Sequence, residues 1–117
     1  MKKLILLFTI LFTFTFSSYG QENHSKKLGD IFAMEADCTF VQSIDTMYAY
    51  YCGQYSSFDT IKLYFSMFVN SYSDLEQRSP WQQATDGWVV FVHYENQEYA
   101  FLYTKNNVLG VLLRDDI

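Results

Sequence analysis

The stretch CTFVQSIDTMYAYYC, residues 38–52, opens and closes with the only two cysteines of a 117-residue chain. Two backbone conformations fit it. As a helix, Val41, Ile44, Tyr48 and Tyr51 share one stripe, and Gly53 supplies a C-terminal cap. As a hairpin, the chain reverses near Asp45, so that Cys38 faces Cys52, Phe40 faces Tyr50 and Val41 faces Ala49. A continuous helix would hold the two cysteines about 21 Å apart, whereas a disulfide needs Cα atoms within roughly 7 Å. The hairpin sets them opposite each other, and its Thr, Phe, Val, Ile and Tyr content suits pleated backbone. Against it, a three-residue turn at Ile44–Asp45–Thr46 lacks the glycine such turns prefer. Spacing and composition together favour a hairpin stapled by Cys38 and Cys52.

The staple presupposes an oxidising compartment, and the N-terminus supplies one. Lys2 and Lys3 precede the uncharged run LILLFTILFTFTF (4–16), followed by Ser18 and Gly20 at the positions small residues take before a cleavage site. This is the pattern of a secretory leader over 1–20, cut after Gly20. The run is shorter than the roughly 20 apolar residues a spanning helix needs, so no stable membrane insertion is expected after cleavage. The expected location is secreted or periplasmic, where paired cysteines persist. Asn23 heads a glycosylation sequon, read as chance in a polar stretch. Loss of Lys2 and Lys3 takes the net charge from −5 to −7. An acidic domain with no basic run beyond Lys26–Lys27 is unsuited to nucleic acid or anionic lipid.

Beyond the leader, QENHSKK (21–27) has no apolar residue and reads as a flexible tail. Residues 28–117 read as a single small domain, opening at Leu28, Ile31 and Phe32 with a short helix or an irregular lead-in. Phe58, Ile61, Phe65, Phe68, Tyr72 and Leu75 advance in alternating steps of three and four, one stripe of an amphipathic helix. Ser56 or Ser57 can cap its start, and Pro80 lies just past its end. The period then changes to two. Residues 88–94, 98–104 and 108–114 read as a three-stranded antiparallel meander, with Asn106–Asn107 suited to a type I′ turn. The fold class is therefore α+β: hairpin, one long helix, and a meander packed on that helix.

With two-residue turns, Tyr94 faces Tyr99 and Thr104 faces Leu109. One sheet face then carries Val89, Phe91, His93, Ala100, Leu102, Thr104, Leu109, Val111 and Leu113, the expected bed for the helix. The other carries Trp88, Val90, Val92, Tyr94, Tyr99, Phe101, Tyr103, Gly110, Leu112 and Arg114. A sheet with one free face alternates apolar with polar residues; this one does not, so its aromatic face needs a cover. The hairpin, a second copy of the chain or a ligand would serve. Trp88, Tyr94, Tyr99, Tyr103 and Arg114 form the candidate binding face, since Tyr and Trp combine large contact area with a polar handle. The competing reading makes the same face a second core layer under the hairpin.

No chemistry-bearing motif is present. His24 and His93 are the only histidines, without clustered metal-ligand spacing, so neither metal nor cofactor is expected. A small hydrolase would require His93 exposed beside a carboxylate or a free Cys52. The sequence thus points to a non-catalytic exported binding module for a protein or peptide, acting through the aromatic face or a sheet edge in an inhibitor-like or neutralising role. Glycan binding through exposed rings, or a homodimer through the aromatic face, are the other uses such a surface allows. The order helix-then-meander over residues 56–114 resembles the general plan of cystatin-like and PepSY-like domains. That resemblance is one of topology; no motif of either is matched and no residue role is carried over.

Overall fold

The computed structural model describes residues 24–53 and 57–117. The leader, its cleavage site and Asn23 lie outside them. The described chain starts with helix α1, Ser25–Ala36, so residues 25–27 of the expected tail are its first turn. Leu28, Phe32, Ala33 and Ala36 form its buried stripe, narrow because two of the four are alanines. Asp37, in the left-handed conformation at φ 58°, ends the helix, and the Cys38 N–H closes onto the Ala33 carbonyl at 2.9 Å.

The cysteine segment is the hairpin. Strands β1 (Thr39–Ile44) and β2 (Met47–Tyr51) pair antiparallel, and a disulfide joins Cys38 to Cys52 with Cα atoms 4.1 Å apart. Phe40 faces Tyr50 as expected, but a β-bulge between Phe40 and Gln42 then shifts the register. Gln42, not Val41, faces Ala49, and Ile44 faces Met47. The extra residue shortens the turn to Asp45–Thr46, with Asp45 at φ 54°. A two-residue turn with a left-handed aspartate removes the need for the missing glycine.

Helix α2 spans Phe58–Ser71, and the Ser57 hydroxyl caps it by accepting from the Thr60 N–H at 3.2 Å. Ile61, Phe65 and Phe68 of the predicted stripe are buried. The helix ends before the stripe does: Tyr72 is extended, and Leu75 belongs to the next strand.

The meander is present as β5 (Gly87–Tyr94), β6 (Gln97–Thr104) and β7 (Val108–Leu113), but it is the middle of a seven-stranded antiparallel sheet. β2 joins it through β7, while β3 (Leu75–Gln77) and β4 (Gln82–Ala84) both line β5, giving the order β1-β2-β7-β6-β5-β3. The α+β class holds; the architecture has two helices among the described residues and four strands beyond the predicted meander.

Both turns of the meander differ from expectation. Glu95 and Asn96 have φ of 47° and 68°, the type I′ signature, so Tyr94 faces Gln97 and Tyr99 faces Val92. The second turn holds three residues, Lys105–Asn107. The Asn107 N–H bonds the Thr104 carbonyl at 3.0 Å, and only Asn107 (φ 67°) is left-handed. Tyr103, not Thr104, therefore faces Leu109. A one-residue slip moves a whole strand to the other face. Leu109, Val111 and Leu113 thus join the aromatic face, while Gly110, Leu112 and Arg114 leave it.

The helices pack on the aromatic face rather than on the expected aliphatic one. Val90, Val92, Tyr99, Phe101, Tyr103, Leu109 and Val111 are buried there against α1 and α2. The Phe32 ring sits at the junction, with ring centroids of Phe65, Phe68 and Phe101 at 6.0, 5.4 and 5.7 Å. Burying each such ring contributes about 1.5–3 kcal/mol relative to exposure.

Candidate functional site

The five residues of the expected binding face do not form a surface. Tyr94, Tyr99 and Tyr103 are 7%, 0% and 1% exposed. They are core, covered by the helices and not by the hairpin, which extends the sheet in its own plane. Tyr103 accepts a hydrogen bond from Asn107 Nδ2 at 3.0 Å, and burial pushes its phenol pKa up. Tyr99 donates to Gln97 Oε1 at 2.7 Å and accepts from the His24 backbone N–H at 3.1 Å. With the His24–Glu95 contact at 3.1 Å, these bonds pin the start of α1 to the β5–β6 turn. Trp88 is half-buried, stacked on Phe58 at 4.0 Å. With Tyr103 it lines a shallow depression of about 260 Å³ at the β4–β5 turn. Arg114 is on the opposite face, over the Phe91 ring at 4.1 Å.

That outer face carries a polar cluster of His93, Glu98, Arg78 and Arg114. His93 Nδ1 lies 2.7 Å from Glu98 Oε2, which also receives Arg78 Nε at 3.3 Å. Arg114 approaches the other Glu98 oxygen at 3.9 Å, and Arg78 also pairs with Glu76. An imidazole beside a carboxylate meets one geometric condition of the hydrolase reading. The alternative condition is not met, since Cys52 is in the disulfide. Glu98 is engaged by two arginines, so the cluster reads as a structural network joining β3, β5, β6 and the chain after β7. Among the described residues no group of three or more metal-ligating side chains gathers, and no helix is long and apolar enough to cross a membrane.

The remaining candidate is the sheet edge at β1. All six of its residues are exposed, and its one strand neighbour is β2. Phe40, Val41 and Ile44 are 41%, 55% and 43% exposed, and Tyr51 beside them on β2 is 44% exposed. The strand TFVQSI has no charged residue in a chain of net charge −5. A free edge presents unpaired backbone N–H and C=O groups, and proteins normally blunt one with charge or proline. β1 has neither. Lys26 lies over the Phe40 ring at 4.6 Å while pairing with Asp30 at 2.7 Å.

The edge is held in place from below. The Tyr50 ring is fully buried, and its hydroxyl donates to Asp30 Oδ1 at 2.7 Å. Burial, then the Asp30 hydrogen bond and charge, push the Tyr50 phenol far above its ordinary value. Burial pushes the Asp30 carboxyl up, but hydrogen bonds from Lys26 and Tyr50 and the Lys26 charge outweigh it, leaving its pKa lowered. Gly29 makes this possible: a Cβ there would lie 2.5 Å from the Tyr50 ring. The disulfide closes the other side of the hairpin base.

No protein-family model, curated protein or solved structure matches the chain. The site's meaning therefore rests on its own geometry.

Proposed function

We propose that the protein is an exported, non-catalytic binding module that takes an extended segment of a protein or peptide partner along β1. The carrying observation is an uncharged edge strand whose six residues are all exposed, Phe40, Val41 and Ile44 among them, on an otherwise acidic chain. In strand addition the backbone hydrogen bonds give affinity and alternate side chains give specificity. On the helix side the incoming strand meets Phe40 and Ser43; on the outer side it meets Thr39 and Ile44. That environment favours a segment with apolar residues at alternate positions and no run of acidic ones. An inhibitor-like or neutralising role follows if the captured segment is one its owner needs free.

The test is selection of displayed peptides on the oxidised, immobilised chain, followed by amide hydrogen exchange with a selected peptide bound. Protection concentrated at residues 39–44 is the expected result. Protection at the Trp88 depression instead, or at neither place, would overturn strand addition.

A further inference from the structure

We infer that Met47 is an oxidation site: a hydroperoxide converts its thioether to the sulfoxide in the folded chain, and the sulfoxide loosens strand β2 from β7. The inference concerns a seam inside the sheet and is independent of what β1 binds.

The seam is built from small residues. Ala49 of β2 pairs with Gly110 of β7, and Gly110 pairs on its other side with Leu102 of β6. These residues lie on the outer face, away from the helices. Ala49 is nevertheless 3% exposed, and Gly110 is buried. Met47, two residues before Ala49 and so on the same face, supplies cover. A Cβ built on Gly110 would lie 2.5 Å from Met47 Sδ and 3.2 Å from its Cγ. The sulfur therefore fills the notch that the absent side chain leaves, against the β7 backbone. An unbranched, polarisable thioether suits such a gap. The ladder it covers is short, running from Tyr48 to Tyr51 on β2, and within the sheet the hairpin reaches the meander through β2 and β7.

Met47 is half-buried, so an oxidant reaches it without unfolding the chain. The thioether sulfur attacks one oxygen of hydrogen peroxide. The O–O bond breaks, an S–O bond forms, sulfur gives up two electrons, and the second oxygen takes the proton of the first and leaves as water. The product is polar and bulkier than the thioether. Its oxygen seeks water, which draws the side chain out of the notch and leaves Gly110 and Ala49 uncovered. Met34 on α1 and Met67 on α2 supply the contrast. They are 84% and 45% exposed and lie on helices rather than at the seam, so their sulfoxides stay in water and cost the fold little.

The experiment uses the disulfide-bonded chain carrying Met34→Leu and Met67→Leu, which leaves Met47 as the one methionine beyond the leader. The chain is treated with hydrogen peroxide, mapped by mass spectrometry, and followed by amide hydrogen exchange and thermal unfolding. One added oxygen at Met47 and a lower unfolding midpoint are expected. Exchange should be roughly tenfold faster at residues 48–51 and 108–111, and unchanged at 87–94. Adding Met47→Leu should abolish both the oxidation and the faster exchange. Met47→Gln, which puts a polar group in the notch, should speed exchange at the same residues without peroxide. A Met47 that resists the peroxide concentration oxidising Met34 and Met67 in wild type overturns the inference. So does a Met47 sulfoxide with exchange at 48–51 and 108–111 as in the untreated chain, or peroxide that speeds exchange equally in the Met47→Leu chain.

Discussion

The two edges of the sheet are opposites. At the β3/β4 edge, Pro80 removes a backbone donor, Glu76 and Arg78 bring charge, and the strand is broken in two. The break is repaired toward the interior only: the Arg78 N–H reaches the Phe91 carbonyl at 2.8 Å, and the Phe91 N–H bonds the Ser79 hydroxyl at 3.1 Å. That edge satisfies its neighbour β5 and offers an incoming strand little. At the β1 edge there is no charge and no proline, and the disulfide and the Tyr50 anchor secure the strand from behind. One edge is blunted by charge, proline and a break; the other carries only the bulge between Phe40 and Gln42.

The comparison breaks most readily at the staple. Replacing both cysteines, Cys38→Ser with Cys52→Ser, should cost about 3 kcal/mol in the chain-entropy account, read as a lower denaturation midpoint. Hydrogen exchange should rise at residues 39–44 and stay unchanged at 75–84. An equal rise at both edges would show that the disulfide serves the whole domain rather than the open edge.

Next in size is Gly29→Ala. Its Cβ would meet the Tyr50 ring at 2.5 Å, and forcing that ring to move should cost about 1–3 kcal/mol. Wild-type stability in this variant would mean that α1 can slide, and that the anchor under β2 is looser than the geometry indicates. At the other edge, Ser79→Ala deprives the Phe91 N–H of its acceptor and should cost about 1 kcal/mol. Faster exchange at the Phe91 amide alone is the expected trace.

The smallest effect is in the pH profile. The Asp30 carboxyl is lowered in the fold, so its contribution is present above the ordinary carboxylate value and lost as pH falls through that range. The raised Tyr50 phenol works at the other end: its contribution is present below the ordinary phenol value and fades as pH rises above it. In thermal melts Asp30→Asn should flatten the acid limb. An acid limb as steep as wild type would place the titrating group elsewhere.

What the sequence made legible follows from where strong local signals lie. The Cys38–Cys52 spacing excluded a disulfide-linked helix by distance alone, and Phe58, Ile61, Phe65 and Phe68 marked α2 by period. Around helix α1 the sequence left a choice between a short helix and an irregular lead-in at Leu28, Ile31 and Phe32, because His24, Ser25, Lys26 and Lys27 begin it with polar residues and half of its apolar stripe is alanine. With α1 unsettled, the aromatic face had no assigned cover, and Tyr94, Tyr99 and Tyr103 read either as a surface or as a core layer under the hairpin. The error in β7 has one cause: a single extra residue in the Lys105–Asn107 turn reverses every side chain after it. Strands β3 and β4 lie within SDLEQRSPWQQATDG (73–87), which has no apolar alternation because both lie at an edge and pair through backbone. The open edge was readable in part, since TFVQSI carries no charge. Its bulge was not, because the shift follows from pairing with β2 rather than from any residue in β1.

The pairing of β2 with β7, Tyr48 opposite Val111, bears on the order of folding. The two cysteines are 14 residues apart, and local contacts close faster than distant ones. The hairpin can therefore close before β7 is in place, with β2 left without its neighbour. The last strand to arrive is the one that joins hairpin to meander. Until then β2 is a second open edge beside β1, so the nascent chain passes through a stage with twice the exposed pairing surface of the finished protein.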